Sequence, residues 1–170
     1  EGKLIVKNQP KDFPQQLQKK CATAGVAVLY TQGLPKAPIS GATWWKGGNP
    51  IIQLSGRYKT NDQFWFAFFH EAAHILKHGK RAVFLENVKG TPSDTEKEKE
   101  ADQFAQKMLF PPNVLRSISK IKPITESIIL DFAKKHDTHP GIIVGQLQHE
   151  KIISFKQMNH LKITFDSLDR

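Results

Sequence analysis

His70, Glu71 and His74 stand in the spacing H-E-x-x-H. On a helix, residues four apart lie one above the other, so both imidazoles can reach one ion. Glu71, beside the first histidine, is then held near the remaining coordination position, where a water would sit. Two nitrogen ligands, a carboxylate base and an open vertex are the least apparatus for zinc-assisted hydrolysis. The pattern also arises by chance, and two satisfied core histidines are the bland alternative. The surrounding residues decide between them.

Those residues predict a buried helix. Thr60-Asn61-Asp62 supplies N-cap chemistry, and no proline or glycine follows until Gly79. Between them, Gln63 to His78 carries Phe64, Trp65, Phe66, Phe68, Phe69, Ile75 and Leu76, apolar on nearly every face. Two histidines one turn apart on such a helix, with a glutamate between them, favour a metal site. His78 continues the spacing by another turn, but beside Gly79, an expected C-cap, it reads as a cation at the helix end.

A catalytic zinc takes three protein ligands and keeps one position open. The third must come from another element, and the acidic stretch Glu96 to Asp102 is the source. A helix is expected from Ser93, where Ser93-Asp94-Thr95-Glu96 fits a capping box, to the stop at Pro111-Pro112, with Ala101, Phe104, Ala105, Met108 and Leu109 as its apolar stripe. Glu98 and Asp102 share one flank of that stripe. Glu98 is the expected ligand, with Asp102 accepting a hydrogen bond from the other ring nitrogen of a ligand histidine and so fixing its tautomer. Glu100, on the opposite flank, is the alternative ligand. A surface network with Lys97 and Lys99 is the reading in which neither binds metal. Donors for a developing oxyanion are sought among Arg57, Tyr58 and His78.

The elements that must position these residues follow from pattern. A short helix is expected over residues 11–23 and a strand over Val26 to Tyr30. Gly33 to Gly41, with Pro35 and Pro38, reads as a loop. Two strands, Ala42 to Trp45 and Ile51 to Leu54, flank a Gly47-Gly48-Asn49-Pro50 turn. A short apolar piece, Ala82 to Leu85, follows the motif helix, and helices over 123–136 and 140–149 complete the chain. Strands first and helices after suggest an α+β layout. The last two helices, joined at Asp137 to Gly141, loosely resemble a helix-turn-helix, but the second is poor in arginine and lysine, so a hairpin covering the core is preferred.

The 170 residues suit one domain, and a formal charge of +9 favours acidic partners in general. The basic residues are dispersed, however, with no single stripe for nucleic acid. Cys21 is the only cysteine, so no internal disulfide and no multi-cysteine zinc site can form, which suits a reducing cytoplasm. No apolar run approaches the ~20 residues that span a bilayer. Glu1-Gly2-Lys3 does not read as a signal peptide, and the chain is expected to be a domain cut from a longer protein.

Taken with the stretch Glu98 to Pro111, the motif His70-Glu71-Ala72-Ala73-His74 resembles the ImmA/IrrE-type metallo-endopeptidases, whose pattern is H-E-x-x-H followed by E-x-x-A-N/D-x-F-A-x-x-L-L-x-P. Ile39 to Trp45, Pro50 to Ser55, Asp62 to Phe66 and Pro140 to Gln148 are similar to one bacterial subgroup, in which this domain follows a helix-turn-helix DNA-binding domain as in antitoxins of the HigA kind. The resemblance covers roughly residues 25–162. It implies a zincin-like α+β fold, a small mixed sheet on the motif helix with a mostly helical C-terminal part. Residues 1–170 would then be a single metallopeptidase-like domain, with about 1–120 as the zinc-binding core and 121–170 as the helical part. It also implies Zn2+ as cofactor and a cytoplasmic endopeptidase, acting on a regulatory protein such as a repressor or a toxin–antitoxin partner. DNA contact would come only through an N-terminal domain missing from this chain, and no membrane is involved. The alternative is a regulatory or antitoxin-type interaction module with a structural or vestigial metal site. One departure is Ala72-Ala73 where the family often has Leu-Gly; both pairs end in a small residue that allows close helix–sheet approach.

Overall fold

A computed structural model describes residues 6–8, 12–31, 41–55, 60–79, 84–85 and 95–165. The expected loop at 33–40, Arg57, Tyr58, Ala82-Val83 and the Ser93-Asp94 half of the capping box lie outside the described residues.

Helix α1 (Phe13–Thr23) leads into β1 (Ala27–Thr31). Strands β2 (Gly41–Lys46) and β3 (Asn49–Ser55) form an antiparallel hairpin over Gly47-Gly48, and β3 also pairs in parallel with β1, from Ala27 opposite Ile51 to Thr31 opposite Ser55. A two-residue strand β4 (Phe84–Leu85) lies antiparallel on β2, giving a mixed sheet in the order β1-β3-β2-β4. With the helices that follow, this is an α+β fold.

The motif helix α2 runs over Asn61–Ala73 and ends in a π-helical turn, His74–His78. It lies on the sheet because its apolar rows fit there. Phe64, Trp65, Ala67 and Phe68 pack with Val28, Ile52 and Leu54 and with Phe13 and Leu17 of α1. Burying each large side chain is worth on the order of 1.5–3 kcal/mol. Edge-to-face pairs orient the rings, Phe13–Phe64 at 5.1 Å and Phe64–Trp65 at 5.2 Å between centroids. The helix starts where expected, but by another device. The Thr60 side chain makes no cap hydrogen bond; instead the Asn61 amide donates to the Ile163 carbonyl, 2.9 Å away. The C-terminal segment is thus held across the helix start, where Phe165 also packs on Phe13 and Phe64.

Helix α3 (Thr95–Leu109) packs beside α2, and α4 (Pro112–Ser119), α5 (Glu126–Lys135) and α6 (Pro140–His149) follow. Helix α4 is not among the sequence expectations. Pro111-Pro112 reads as a stop, yet Pro112 sits in the first turn of a new helix, where its missing N–H costs nothing. Helix α5 starts later than the expected 123, because Thr125 is its N-cap and accepts from the Ile128 amide. A second apolar cluster joins Phe110, Leu115, Ile118, Ile129, Ala133, Ile143, Val144 and Leu147. Helix α6 bridges the clusters, since Ile142 belongs to the first. It can approach α2 closely only because residue 145 is glycine: a Cβ there would lie 2.4 Å from Asp62 Oδ2. With Ile142, Ile143, Val144, Leu147 and Gln148 all buried, α6 has no face to offer a DNA groove.

Candidate metal centre

His70 and His74 are buried near the C-terminal end of α2. Helix α3, packed beside α2, brings Glu98 up to them. His70 Nε2 and His74 Nε2 are 3.1 Å apart, His70 Nε2 lies 3.2 Å from Glu98 Oε2, and His74 Nε2 lies 3.5 Å from Glu98 Oε1. One donor atom from each residue falls within 4.8 Å of the others. Zinc bonds of about 2.0–2.2 Å in a tetrahedron place neighbouring ligand atoms about 3.3–3.6 Å apart. The observed separations, 3.1, 3.2 and 3.5 Å, come close to that edge, with a different Glu98 oxygen nearest each ring, and two imidazoles with one carboxylate are an ordinary zinc donor set. The residues present fit the ion.

Each histidine has its other ring nitrogen engaged. His70 Nδ1 lies 2.9 Å from Asp102 Oδ1, one turn beyond Glu98. His74 Nδ1 lies 2.9 Å from His78 Nδ1, and His78 Nε2 lies 3.0 Å from Glu100 Oε2. Glu100, the alternative ligand, therefore faces His78 and not the three-residue cluster. His78 is not an exposed cation at a helix end either, since only 4% of its side chain is accessible. Its ring nitrogens face His74 and Glu100, which removes it as an oxyanion donor. The i, i+4 repeat through 70, 74 and 78 was the available signal for a third inward histidine.

Burial, followed by the adjacent His70 ring, pushes His74 down to about 4, so the ring is neutral at neutral pH. The hydrogen bond with His70 pulls Glu98 below the usual carboxylate range against the opposing effect of its own burial. A neutral imidazole and an ionised carboxylate are the states in which these groups ligate metal.

Glu71 is almost fully buried and held by β2. The Thr43 hydroxyl, itself buried, lies 2.5 Å from Glu71 Oε2 and 3.2 Å from the Glu71 carbonyl. Gly41 makes room for the carboxylate: a Cβ at that position would stand 2.5 Å from Glu71 Oε1 and 2.9 Å from its Cγ. Neither Gly41 nor Thr43 is recognisable from sequence, because a strand residue becomes a partner of Glu71 only through the packing of sheet on helix.

Residues 21–129 match the model of a peptidase family described as the IrrE N-terminal-like domain. No curated protein matches the chain.

Proposed function

Because the chain belongs to the peptidase family described as the IrrE N-terminal-like domain, we propose that it is a zinc-dependent endopeptidase in which His70, His74 and Glu98 hold the ion, Asp102 orients His70, and Glu71 is the general base. One observation carries this reading. Asp102, a carboxylate, takes the ring proton of His70 at Nδ1, so His70 Nε2 turns a lone pair toward Glu98 Oε2 only 3.2 Å away. Two acceptors at that distance need a proton or a cation between them. Without metal a proton makes the hydrogen bond that lowers Glu98, and the second imidazole at 3.1 Å favours a metal at that place.

A divalent ion bound there supplies Lewis-acid polarisation of a peptide carbonyl and a water acidic enough to ionise near neutral pH. The protein does the rest. Glu71 takes the proton of the attacking water and returns it to the leaving amine. Thr43 and Gly41 hold the carboxylate of Glu71 so that it need not reorganise during the transfer. Asp102 keeps His70 in the tautomer that presents Nε2.

In this reading residues 1–170 work as a single metallopeptidase-like unit, about 1–120 forming the zinc-binding core and 121–170 the helical part, which the straddling of both apolar clusters by α6 supports. The substrate is a protein, placed among transcriptional regulators or toxin–antitoxin partners by the motif resemblance, and the site of action is the cytoplasm. No helix among the described residues is long and apolar enough to cross a membrane.

Metal analysis of the purified wild type beside His74→Ala and Glu98→Ala tests the site. One zinc per chain is expected in the wild type and background levels in both variants. Zinc retained in full by Glu98→Ala would remove Glu98 as a ligand. A wild type that binds zinc yet cleaves no repressor or toxin encoded beside it would favour the regulatory module.

A further inference from the structure

The two ligand histidines are backed differently. His70 meets a carboxylate directly, whereas His74 meets another imidazole, and only that imidazole meets a carboxylate. We propose that Glu100 and His78 form a two-membered relay that positions His74, fixing the tautomer whose Nε2 lone pair faces His70 and Glu98. The inference rests on the metal-site reading above and assigns two residues that reading leaves without a role.

The argument is one of donor and acceptor identity. A carboxylate only accepts, so at 3.0 Å from Glu100 Oε2 the His78 Nε2 carries the proton. A neutral His78 then has a bare Nδ1. That lone pair, 2.9 Å from His74 Nδ1, is met by a proton on His74 Nδ1, and a neutral His74 then has its Nε2 unprotonated and directed at the cluster. Without the relay, a neutral His74 can instead place its proton on Nε2 and donate to His70 Nε2 at 3.1 Å, blocking the position a metal would take. The relay thus selects between a metal-ready and a proton-bridged pair of histidines. The backbone is arranged for this contact. Residues 74–78 form the π-helical turn that ends the motif helix, a distortion often found at functional sites, and the two Nδ1 atoms meet across it. Glu100 is set on the opposite flank of α3 from Asp102, so one helix supports both ligand histidines from two sides.

Ring-nitrogen NMR of the full, metal-free chain, labelled at histidine nitrogens and held slightly above neutral pH, reads the tautomer of His74. In the wild type, His74 should be protonated at Nδ1 and bare at Nε2. In His78→Phe, which keeps a ring but has no nitrogen, His74 should shift toward the Nε2-protonated form, while His70 stays as it was because Asp102 still holds it. Zinc affinity, measured by competition with a chromophoric chelator, should fall by about 10–100-fold. His78→Gln, whose side-chain carbonyl can accept from His74, should restore part of the loss. Glu100→Ala changes a largely exposed side chain and should shift the His74 tautomer in the same direction even if His78→Phe does not fold. A wild-type His74 protonated at Nε2, or a tautomer and zinc affinity unmoved by both substitutions, overturns the relay. A wild type that takes up no zinc ends the metal-site reading, and the tautomer measurement still judges the relay on its own.

Discussion

Two buried polar networks hang on the two ends of α2, and they differ in how their donors and acceptors are matched. At the N-terminal end, Lys162 donates to Asp62 Oδ2 and to Gln148 Oε1, both at 2.7 Å. The Gln148 amide donates to the Gln157 carbonyl and to Asn159 Oδ1, and Asn61 Oδ1 accepts from the Ile163 amide. His139 Nδ1 receives both Asn61 Nδ2 and the Gly141 amide at 3.0 Å. Donors meet acceptors at each of these contacts, while the buried Asp62 Oδ1, Thr60 Oγ1 and Trp65 Nε1 have no hydrogen-bond partner among the described residues. At the C-terminal end, two imidazole nitrogens and a carboxylate turn toward one another with the adjoining ring proton committed elsewhere. Burial and polarity are alike in the two networks. The first is closed by the Lys162 ammonium, whereas in the proposed reading the second takes a metal ion. Convergence of possible ligand atoms, and not the mere presence of buried histidines, is what singles out the C-terminal end for the proposed metal site.

The sharpest way to separate the two ends is Glu71→Gln. It should keep zinc stoichiometry and fold yet lower kcat by about 10²–10⁴-fold, on the order of 3–5 kcal/mol in the barrier, as read by steady-state cleavage of a protein substrate. Full activity in that variant would take the base away from Glu71 and leave the C-terminal network without its catalytic half.

Breaking the other end should act on stability instead. Lys162→Ala leaves Asp62 as an uncompensated charge, with both side chains about nine-tenths buried. Chemical denaturation should show a loss of about 3–5 kcal/mol. Replacing the pair together, as Asp62→Leu with Lys162→Met, should cost much less. Zinc affinity of the folded fraction should be unmoved in both; a matching loss of zinc would show that the two networks are coupled.

A smaller effect sharpens the same contrast by pH. Burial holds His139 below the ordinary histidine range. With its folded pKa depressed, the unfolded chain binds more protons between that pKa and about 6.5, so this contribution to stability is complete above about 6.5 and is lost as pH falls from there through the folded pKa. Protonation at Nδ1 would also oppose two donors at once. His139→Ala, which removes the N-cap of α6, should cost about 0.5–2 kcal/mol at neutral pH and flatten the acid slope measured by denaturant titration. An unchanged slope would sink this assignment.

Much of the molecule could be read from residue order alone. The apolar run from Phe64 announced a largely buried helix, although Leu76 at its end is exposed, and the i, i+4 spacing of His70 and His74 put both rings on one face of it, because helix geometry is local. The strands from β1 to β3 follow from the same short-range rules. Helix α4 shows the limit of such rules, since Pro112 reads as an ending when it is also a beginning. What local rules cannot supply is the meeting of segments far apart in the chain. Glu98 and Glu100 are two residues apart and chemically alike, and only the packing of α3 on α2 sends one to the His70–His74 pair and the other to His78. Gly41 and Thr43 gain their meaning from the sheet pressing on Glu71. The start of α2 is capped by Ile163, about a hundred positions away. Sequence determined which groups were available and which helix faces carried them. Tertiary structure decided which acceptors meet, because that depends on distances between elements and no periodicity encodes those distances.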